Sequence, residues 1–381
     1  MLRKGIEVKM NDKGVFTAPG RIEIGGSHTD HQCGRVLAAA IDLDMTCNAA
    51  VNGTDTINIT SDGFGAAAVD LNDLDIRGDE KGTMAALIRG EAAWFKKKKY
   101  AICGFDATVT SRLPVGAGLS SSAAFEVLIG NAFKGLFGLD VSPLDIAIAG
   151  RFAENIYFGK PCGLMDQVAS SFGGLTMIDF ADPLNPVITP VNANLKGYTI
   201  CITNTGGSHT DMAGDYSAIP HEMKIIAGFF GKKYLREVSP ADLSANMPKL
   251  RQFGDRATLR AFHFFKENER VEAQATLLSE GDITGFLNLV SESGRSSIAY
   301  LQNVFSASTP NRQELMLALM LSDALLEGKG AYRVHGGGFA GTILAFVPDG
   351  MKEEYRRSMA EVFGESACQF VNVRACGGGK V

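Results

Sequence analysis

Residues 113–125 read LPVGAGLSSSAAF and separate two segments with different hydrophobic periods. The preceding residues 105–112, FDATVTSR, alternate apolar or small residues with polar ones, which is the period of a half-buried strand. In the following segment, apolar residues recur at three- and four-residue steps, as on one face of a helix: Phe125, Leu128, Ile129, Ala132, Phe133 and Leu136. The stretch therefore predicts a strand, a glycine turn and a helix start in succession.

The composition of this turn favours anion binding. Gly116 and Gly118 have no Cβ that would keep an anion away from the backbone. Ser120, Ser121 and Ser122 supply hydroxyl and N–H groups where the helix dipole is positive. Three consecutive serines favour a phosphate site over the alternative, a capped loop without a ligand. The turn is neither a Walker loop, which needs GK[ST], nor a GxGxxG turn, which needs a third glycine.

Length and charge narrow the class of protein. The chain has 381 residues, which suits two domains of moderate size, and its 45% hydrophobic and 21% charged residues are ordinary for a soluble globular protein. The net charge of -5 argues against nucleic acid or an anionic membrane as a partner. We expect small-molecule ligands and a monomer.

The sequence also indicates a compartment. No window is long and apolar enough for a signal peptide or a membrane span. The seven cysteines are scattered without CxxC pairs, which is typical of reduced thiols rather than of a disulfide framework. We therefore expect a cytoplasmic protein.

Strand-like and helix-like segments occur in blocks rather than in strict alternation, which favours the α+β class. An early example is VFTAPGRIEI (residues 15–24), which predicts a strand interrupted at Pro19-Gly20. Ser142-Pro143 and the following acid predict a helix start. The most linker-like segment is residues 182–190, so we place a boundary between domains of residues 1–180 and 181–381.

Several polar side chains are candidates for chemistry. Asp166 lies at a predicted helix start, where the dipole stabilises a carboxylate; it is either a proton acceptor or an ordinary first-turn acid. Arg21 lies in a strand, where an arginine needs a partner or solvent. His28, His31 and Cys33 crowd one turn, but the spacing H-x-x-H-x-C matches no common zinc site, so polar substrate contacts are the better interpretation.

Four stretches, in order along the chain, resemble motifs of the GHMP family of sugar and isoprenoid kinases, most closely those of galactokinases. They are GRIEIGGSHTDHQ (residues 20–32), LPVGAGLSSSAAFEVL (113–128), CGLMDQVASSFGG (162–174) and GGGFAG (336–341). The resemblance covers nearly the whole chain from about residue 16 onward. It implies a two-domain GHMP-kinase fold, with an N-terminal ribosomal-protein-S5-domain-2-like domain, a C-terminal ferredoxin-like domain and the active site between them.

The resemblance also implies ATP and Mg²⁺ as cofactors, and a role for individual residues. Asp166 would accept the proton of the sugar's anomeric hydroxyl, with Arg21 beside it. Ser121 and Glu154 would bind Mg²⁺. The ATP phosphates would be bound by Gly116, Ala117, Gly118, Leu119, Ser120, Ser121 and Ser122, and the sugar by Ser27, His28, Asp30, Gly163 and Tyr216.

Departures from the family motifs concentrate around the sugar. Ser27 stands where galactokinases carry a glutamate, His31 replaces a tyrosine and His335 a threonine. Loss of a carboxylate that accepts a hydroxyl can shift specificity strongly. The resemblance implies an ATP-dependent 1-kinase for galactose or a close relative. Two alternatives stay open: a 1-kinase for galacturonate or another modified galactose, and a catalytically silent sensor that binds ATP and sugar.

Overall fold

Two β-sheets and the helices packed on them organise the chain. The structure is a computed structural model that describes residues 11–63, 65–114, 118–207 and 212–381. Its strands are β1 (Lys13–Gly25), β2 (Arg35–Val51), β3 (Thr56–Ser61), β4 (Gly65–Asp70), β5 (Phe105–Ser111), β6 (Leu175–Asp179), β7 (Val187–Val191), β8 (Tyr198–Asn204), β9 (Ala331–His335), β10 (Thr342–Pro348), β11 (Cys368–Val371) and β12 (Gly379–Lys380).

The helices alternate with these strands only in part. They are α1 (Met84–Lys97), α2 (Ser121–Phe137), α3 (Pro143–Phe152), α4 (Met165–Phe172), α5 (Ala213–Phe229), α6 (Pro240–Ala245), α7 (Met247–Leu250), α8 (Asp255–Glu280), α9 (Ile283–Ser296), α10 (Glu314–Leu326) and α11 (Lys352–Phe363). Wide turns of π-helix extend α3 and α9, over Ala153–Phe158 and Ser297–Leu301. Within the described ranges, no helix is both long and apolar enough to cross a bilayer.

The larger sheet is built around the long strands β1 and β2. Its main order is β12-β1-β2-β5-β3-β4. On the side of β2 away from β1, the first part of the strand pairs with β6 rather than with β5, and β6 pairs in turn with β7. The predicted interruption at Pro19-Gly20 is a shift of register between Pro19 and Arg21 inside one continuous strand. Because proline has no N–H for the ladder, the irregularity falls where a hydrogen bond is missing anyway.

Helices α1 and α2 pack on this sheet, and α3 packs against α1, α2 and α4. The six apolar residues of the predicted face of α2 are all buried: Phe125, Leu128, Ile129, Ala132, Phe133 and Leu136. The predicted start of α3 is confirmed by a capping box. The Ser142 side chain accepts a hydrogen bond from the Asp145 N–H, and the Asp145 carboxylate accepts one from the Ser142 N–H. Burial and capping together fix the direction of the helices behind the phosphate turn.

The second half of the chain forms a smaller antiparallel sheet in the order β11-β8-β10-β9, with α10 and α11 packed on it. The long helix α8 contacts α5 and α9 and also reaches β1 and β2 of the larger sheet. The α+β class expected from the blocks of strands and helices is confirmed. The boundary at residue 180 stays a prediction; β7 and β12, although later in sequence, belong to the larger sheet.

Candidate active site

Asp166 and Arg21 meet at the centre of the site. Asp166 lies in the first turn of α4, and Arg21 lies on β1 just after the register shift. The guanidinium donates from Nε to Oδ1 at 2.7 Å and from Nη2 to Oδ2 at 2.8 Å, a bidentate pair. The arginine side chain is 8% exposed, whereas the aspartate is 31% exposed. The pair is therefore rigid on the arginine side and open on the carboxylate side.

Ser120 adds a third donor to the same carboxylate. Its hydroxyl donates to Asp166 Oδ2 at 2.5 Å. Ser120 has a φ of 55°, in the left-handed region that costs a residue with a Cβ about 1–2 kcal/mol, and its side chain makes no capping bond to α2. The backbone of the first serine is thus placed so that the hydroxyl serves Asp166 rather than its own helix.

These contacts determine the charge of Asp166. Burial opposes ionisation, but the charge and hydrogen bonds of Arg21, followed by the Ser120 hydroxyl and the charge of Lys160, outweigh it and lower the pKa of Asp166 below its usual value. Asp166 is consequently a carboxylate at neutral pH, with an unblocked side facing solvent.

The phosphate turn itself approaches β1 and β10 closely. Arg21 Nη1 donates to the carbonyl of Gly118 at 2.8 Å, and the Arg21 N–H donates to the carbonyl of buried Leu119 at 3.2 Å. A Cβ on Gly118 would lie 2.8 Å from Thr342 Oγ1, so the glycine is required by space as well as by its φ of 69°. The predicted ligands Gly116 and Ala117 lie outside the described residues.

A second carboxylate lies behind the serines. Glu154 is 2% exposed and belongs to the π-helical turn that follows α3. Its Oε1 accepts from Ser122 Oγ at 3.0 Å and faces Lys160 Nζ at 3.2 Å. The sequence predicted Ser121 as the serine that acts with Glu154, whereas the hydroxyl that reaches this carboxylate in the structure is that of Ser122.

The turn between β1 and β2 brings His28 next to the glycines of residues 336–338. His28 has a φ of 58°, and its Nε2 donates to the carbonyl of Gly337 at 2.9 Å. The ring of Tyr216 lies 5.4 Å from the His28 ring, centroid to centroid. A Cβ on Gly337 would lie 1.7 Å from the Tyr216 hydroxyl, so the GGG motif lets the tyrosine approach the backbone. His28 and Tyr216, predicted sugar contacts, therefore share one wall.

Asp30 and Gly163 are also brought together. A Cβ on Gly163, just before α4, would lie 2.1 Å from Asp30 Oδ2, so only glycine leaves room for this carboxylate. Burial raises the pKa of Asp30. Burial also lowers the pKa of His28 to about 3, together with the neighbouring His31, and it lowers the pKa of His31 to about 3, together with the charge of Lys224. The imidazoles are therefore neutral near pH 7 and act as hydrogen-bonding groups.

Ser27, also predicted to bind the sugar, is fully buried, unlike these neighbours. It is 0% exposed, and its hydroxyl has no hydrogen-bond partner within the part of the chain that the structure describes. Within the described ranges, no group of three or more His, Cys, Asp or Glu side chains is arranged to hold a metal ion, at His28, His31 and Cys33 or elsewhere.

Two residues of α8 that no sequence pattern predicted hold the turn between β1 and β2. On α8, His263 Nε2 donates to the Ser27 carbonyl at 3.0 Å, and Glu267 Oε1 accepts from the Gly26 N–H at 3.0 Å. Burial alone would raise the pKa of Glu267, but Arg270, His263 and Arg333 lower it to about 2. Their spacing of four residues puts both side chains on one helix face, but only their burial identifies them as internal.

A buried ion pair joins β1 to β9 beneath Arg21. Arg333 Nη2 donates to Glu23 Oε1 at 2.7 Å, and the Glu23 N–H donates to His335 Nε2 at 3.1 Å. Burial raises the pKa of Glu23 to about 7 despite Arg333 and Arg21. His335, the departure noted in the sequence, thus fixes the strand that carries Arg21. These contacts connect the two sheets at the site.

Comparisons with known proteins agree with this arrangement. The model of the GHMP kinases N terminal domain matches residues 86–174, and that of the galactokinase galactose-binding signature matches residues 7–51. A galactokinase of Glaesserella parasuis serovar 5 (strain SH0165) is 33% identical over 354 aligned residues, in an alignment that covers 90% of this chain and 88% of the relative. A galactokinase of Mannheimia succiniciproducens is 32% identical over 355 residues, with the same coverage.

Solved structures give the same result. Lactococcus lactis galactokinase complexed with galactose superposes with a TM-score of 0.84 at 26% identity, covering 98% of this chain and 96% of that one. Methanococcus jannaschii mevalonate kinase has a TM-score of 0.66 at 14% identity, which reflects the fold alone. Fold and phosphate turn together define a GHMP kinase. Within that class, the identity over most of its length shows that the chain belongs to the galactokinase family.

Proposed function

We propose that this chain is an ATP-dependent sugar 1-kinase that transfers the γ-phosphate of ATP to the anomeric hydroxyl of galactose. The observation that carries the proposal is the ionised carboxylate of Asp166 in the first turn of α4. Arg21 and Ser120, the residue just before α2, keep it ionised. The relatives named galactokinase support the sugar and the reaction. The seven cysteines, all of them free thiols, support a cytoplasmic location.

The reaction needs orientation and charge stabilisation more than a strong base. In our proposal Asp166 accepts the proton of the anomeric hydroxyl as the new O–P bond forms, while the bond from the γ-phosphorus to the bridging oxygen breaks and ADP leaves. A carboxylate with a lowered pKa is a weak base, so its main contribution is to orient the hydroxyl. Arg21, on the adjacent strand, balances the negative charge that accumulates during transfer.

The donor set beside the phosphate turn fits a magnesium ion. Glu154 and Ser122 offer a carboxylate and a hydroxyl oxygen, and Mg²⁺ characteristically uses one or two carboxylates together with nucleotide phosphates and water. The ammonium of Lys160 at the same Glu154 oxygen indicates that this oxygen accepts a cation. When bound, Mg²⁺ would neutralise phosphate charge. We assign Glu154 and Ser122 to it, in place of Ser121.

The sugar site is assigned to the wall formed by His28 and Tyr216 and to Asp30 beside Gly163. Neutral imidazoles and an aspartate suit the hydroxyls of a hexose. A second candidate substrate, galacturonate, is supported by Ser27, because a serine at this position places no negative charge beside the far end of the sugar, where the family's glutamate would repel a carboxylate.

A coupled assay of ADP release across a sugar panel tests the proposal. The panel comprises galactose, galacturonate, N-acetylgalactosamine and glucose, with a blank without sugar to subtract ATP hydrolysis. We expect galactose to have the highest kcat/KM. A preference for galacturonate would retain the chemistry and change the substrate. Binding of ATP and galactose without ADP release from any sugar would refute the enzyme and support the sensor.

A further inference from the structure

A buried amide lies directly behind the carboxylate of Glu154. Gln167 follows Asp166 on α4, and its side chain is 0% exposed. Its Nε2 donates to Glu154 Oε2 at 3.0 Å and to Glu126 Oε2 at 2.9 Å. An amide nitrogen has two N–H groups, so the two carboxyl groups account for both.

Glu126 completes this chain of contacts. It lies on α2, the helix that begins with the serines, and is 0% exposed. Its other oxygen, Oε1, and the carbonyl oxygen of Gln167 have no hydrogen-bond partner among the described residues. The amide is thus the group that ties Glu126 to Glu154, and it joins α2, α4 and the π-helical turn.

The two oxygens of Glu154 therefore have separate partners. Oε2 faces the buried amide, whereas Oε1 faces Ser122 and Lys160. A carboxylate held on one oxygen cannot rotate freely, so the other oxygen keeps its direction. Groups that orient a metal-binding side chain in this way commonly change metal affinity by about 10–100-fold when they are removed.

We propose that Gln167 and Glu126 are positioning residues that aim Glu154 Oε1 at the cation of the bound nucleotide. This inference rests on the proposed function, since it requires a magnesium-dependent nucleotide site. Neither residue touches the reactants. Glu126 accepts a hydrogen bond from the Gln167 amide, and the amide donates another to Glu154 Oε2. The second carboxylate oxygen, Glu154 Oε1, thereby keeps its place beside Ser122. The same α4 helix thereby places the proton acceptor on one face and the cation support on the other.

The test is calorimetric titration of the full chain with adenylyl imidodiphosphate, a non-hydrolysable ATP analogue, with and without Mg²⁺. The quantity of interest is the gain in nucleotide affinity that Mg²⁺ produces. For Gln167→Leu we expect this gain to fall about tenfold, with affinity for the metal-free nucleotide and for galactose unchanged. Glu126→Gln, which keeps an oxygen acceptor for the amide, should retain most of the gain.

Glu126→Leu provides a second route if Gln167→Leu does not fold, because it removes the acceptor and leaves the amide in place. It should lower the gain from Mg²⁺ in the same direction. The inference is overturned if the folded variants bind nucleotide with the wild-type dependence on Mg²⁺, or if affinity for metal-free nucleotide, Mg²⁺-nucleotide and sugar falls in parallel. A wild-type affinity that ignores Mg²⁺ would instead refute the magnesium site itself.

Discussion

Removal of the Arg21 guanidinium should change the pH dependence of the enzyme as well as its rate. In Arg21→Met, Asp166 keeps its surroundings but loses two hydrogen bonds, of 2.7 and 2.8 Å, and the neighbouring positive charge. Burial, the largest influence on this carboxyl, is then opposed only by Ser120 and Lys160. An opposite charge at this range lowers a carboxyl pKa by about 1–3 units, so we expect the pKa of Asp166 to rise by that amount.

The acidic limb of kcat/KM should move to higher pH by the same interval. Loss of a charge-stabilising donor should also lower kcat about 10²–10³-fold. Arg21→Lys keeps the charge without the bidentate geometry, so its kcat and its acidic limb should lie between those of Arg21→Met and the wild type. The assay is steady-state ADP release from pH 4 to 9.

Arg21→Met should also be less stable than the wild type, to an extent that depends on pH. Breaking a buried ion pair costs about 3–5 kcal/mol, and we expect the lower end because Asp166 is 31% exposed. The pKa of Asp166 is lowered in the wild type, so the stability it supplies is present above its unfolded pKa and lost as pH falls through the folded value. In urea unfolding, the difference between wild type and Arg21→Met should therefore be largest near neutral pH and narrow below about pH 4.

The matched control is Arg251→Met, which removes an arginine from a surface pair with Asp255 whose side chains are 71% and 68% exposed. Because solvent screens it, that pair should contribute little to stability, and its loss should leave the pH profile unchanged. If Arg21→Met showed the wild-type acidic limb and no greater loss of stability than this control, the assigned coupling of Arg21 to Asp166 would be wrong.

Three further variants probe the periphery of the site. Ser27→Glu should raise the ratio of galactose to galacturonate turnover by about tenfold or more in the sugar panel; an unchanged ratio would remove this position from specificity. Lys160→Met removes the exposed lysine that pairs with buried Glu154 and should lower the Mg²⁺ concentration for half-maximal rate by about two- to fivefold. An increase would show that Lys160 does not compete with the cation. His263→Ala removes the donor to the Ser27 carbonyl and should raise the KM for sugar while the KM for ATP stays constant; equal changes in both would indicate general unfolding.

The elements around the phosphate turn were predictable because local patterns determine them. Alternation before residue 113 and helical spacing after it predicted β5 and α2, which the structure confirms. The Ser142 capping box is likewise a local device. The pairing of Arg21 with Asp166 came only from the family resemblance, since 145 residues separate them and no periodicity encodes such a contact.

The choice among the three serines illustrates where sequence reasoning ends. Their order predicts donors at a helix start, but the left-handed backbone of Ser120 decides which hydroxyl points where. As a result Ser120 serves Asp166 and Ser122 serves Glu154. The roles of Gln167 and His263 were not predictable from local sequence, because a buried polar residue is recognised by its hydrogen-bond partners and those partners lie on other elements.

The most direct test of the central claim is the product itself. The purified chain is incubated with ATP, Mg²⁺ and galactose, and the product is analysed by ³¹P and ¹H NMR, with Asp166→Asn in parallel. We expect galactose 1-phosphate from the wild type, and no product from Asp166→Asn although it still binds nucleotide. Phosphate on any other oxygen of the sugar, or product formation by Asp166→Asn at the wild-type rate, would contradict the account.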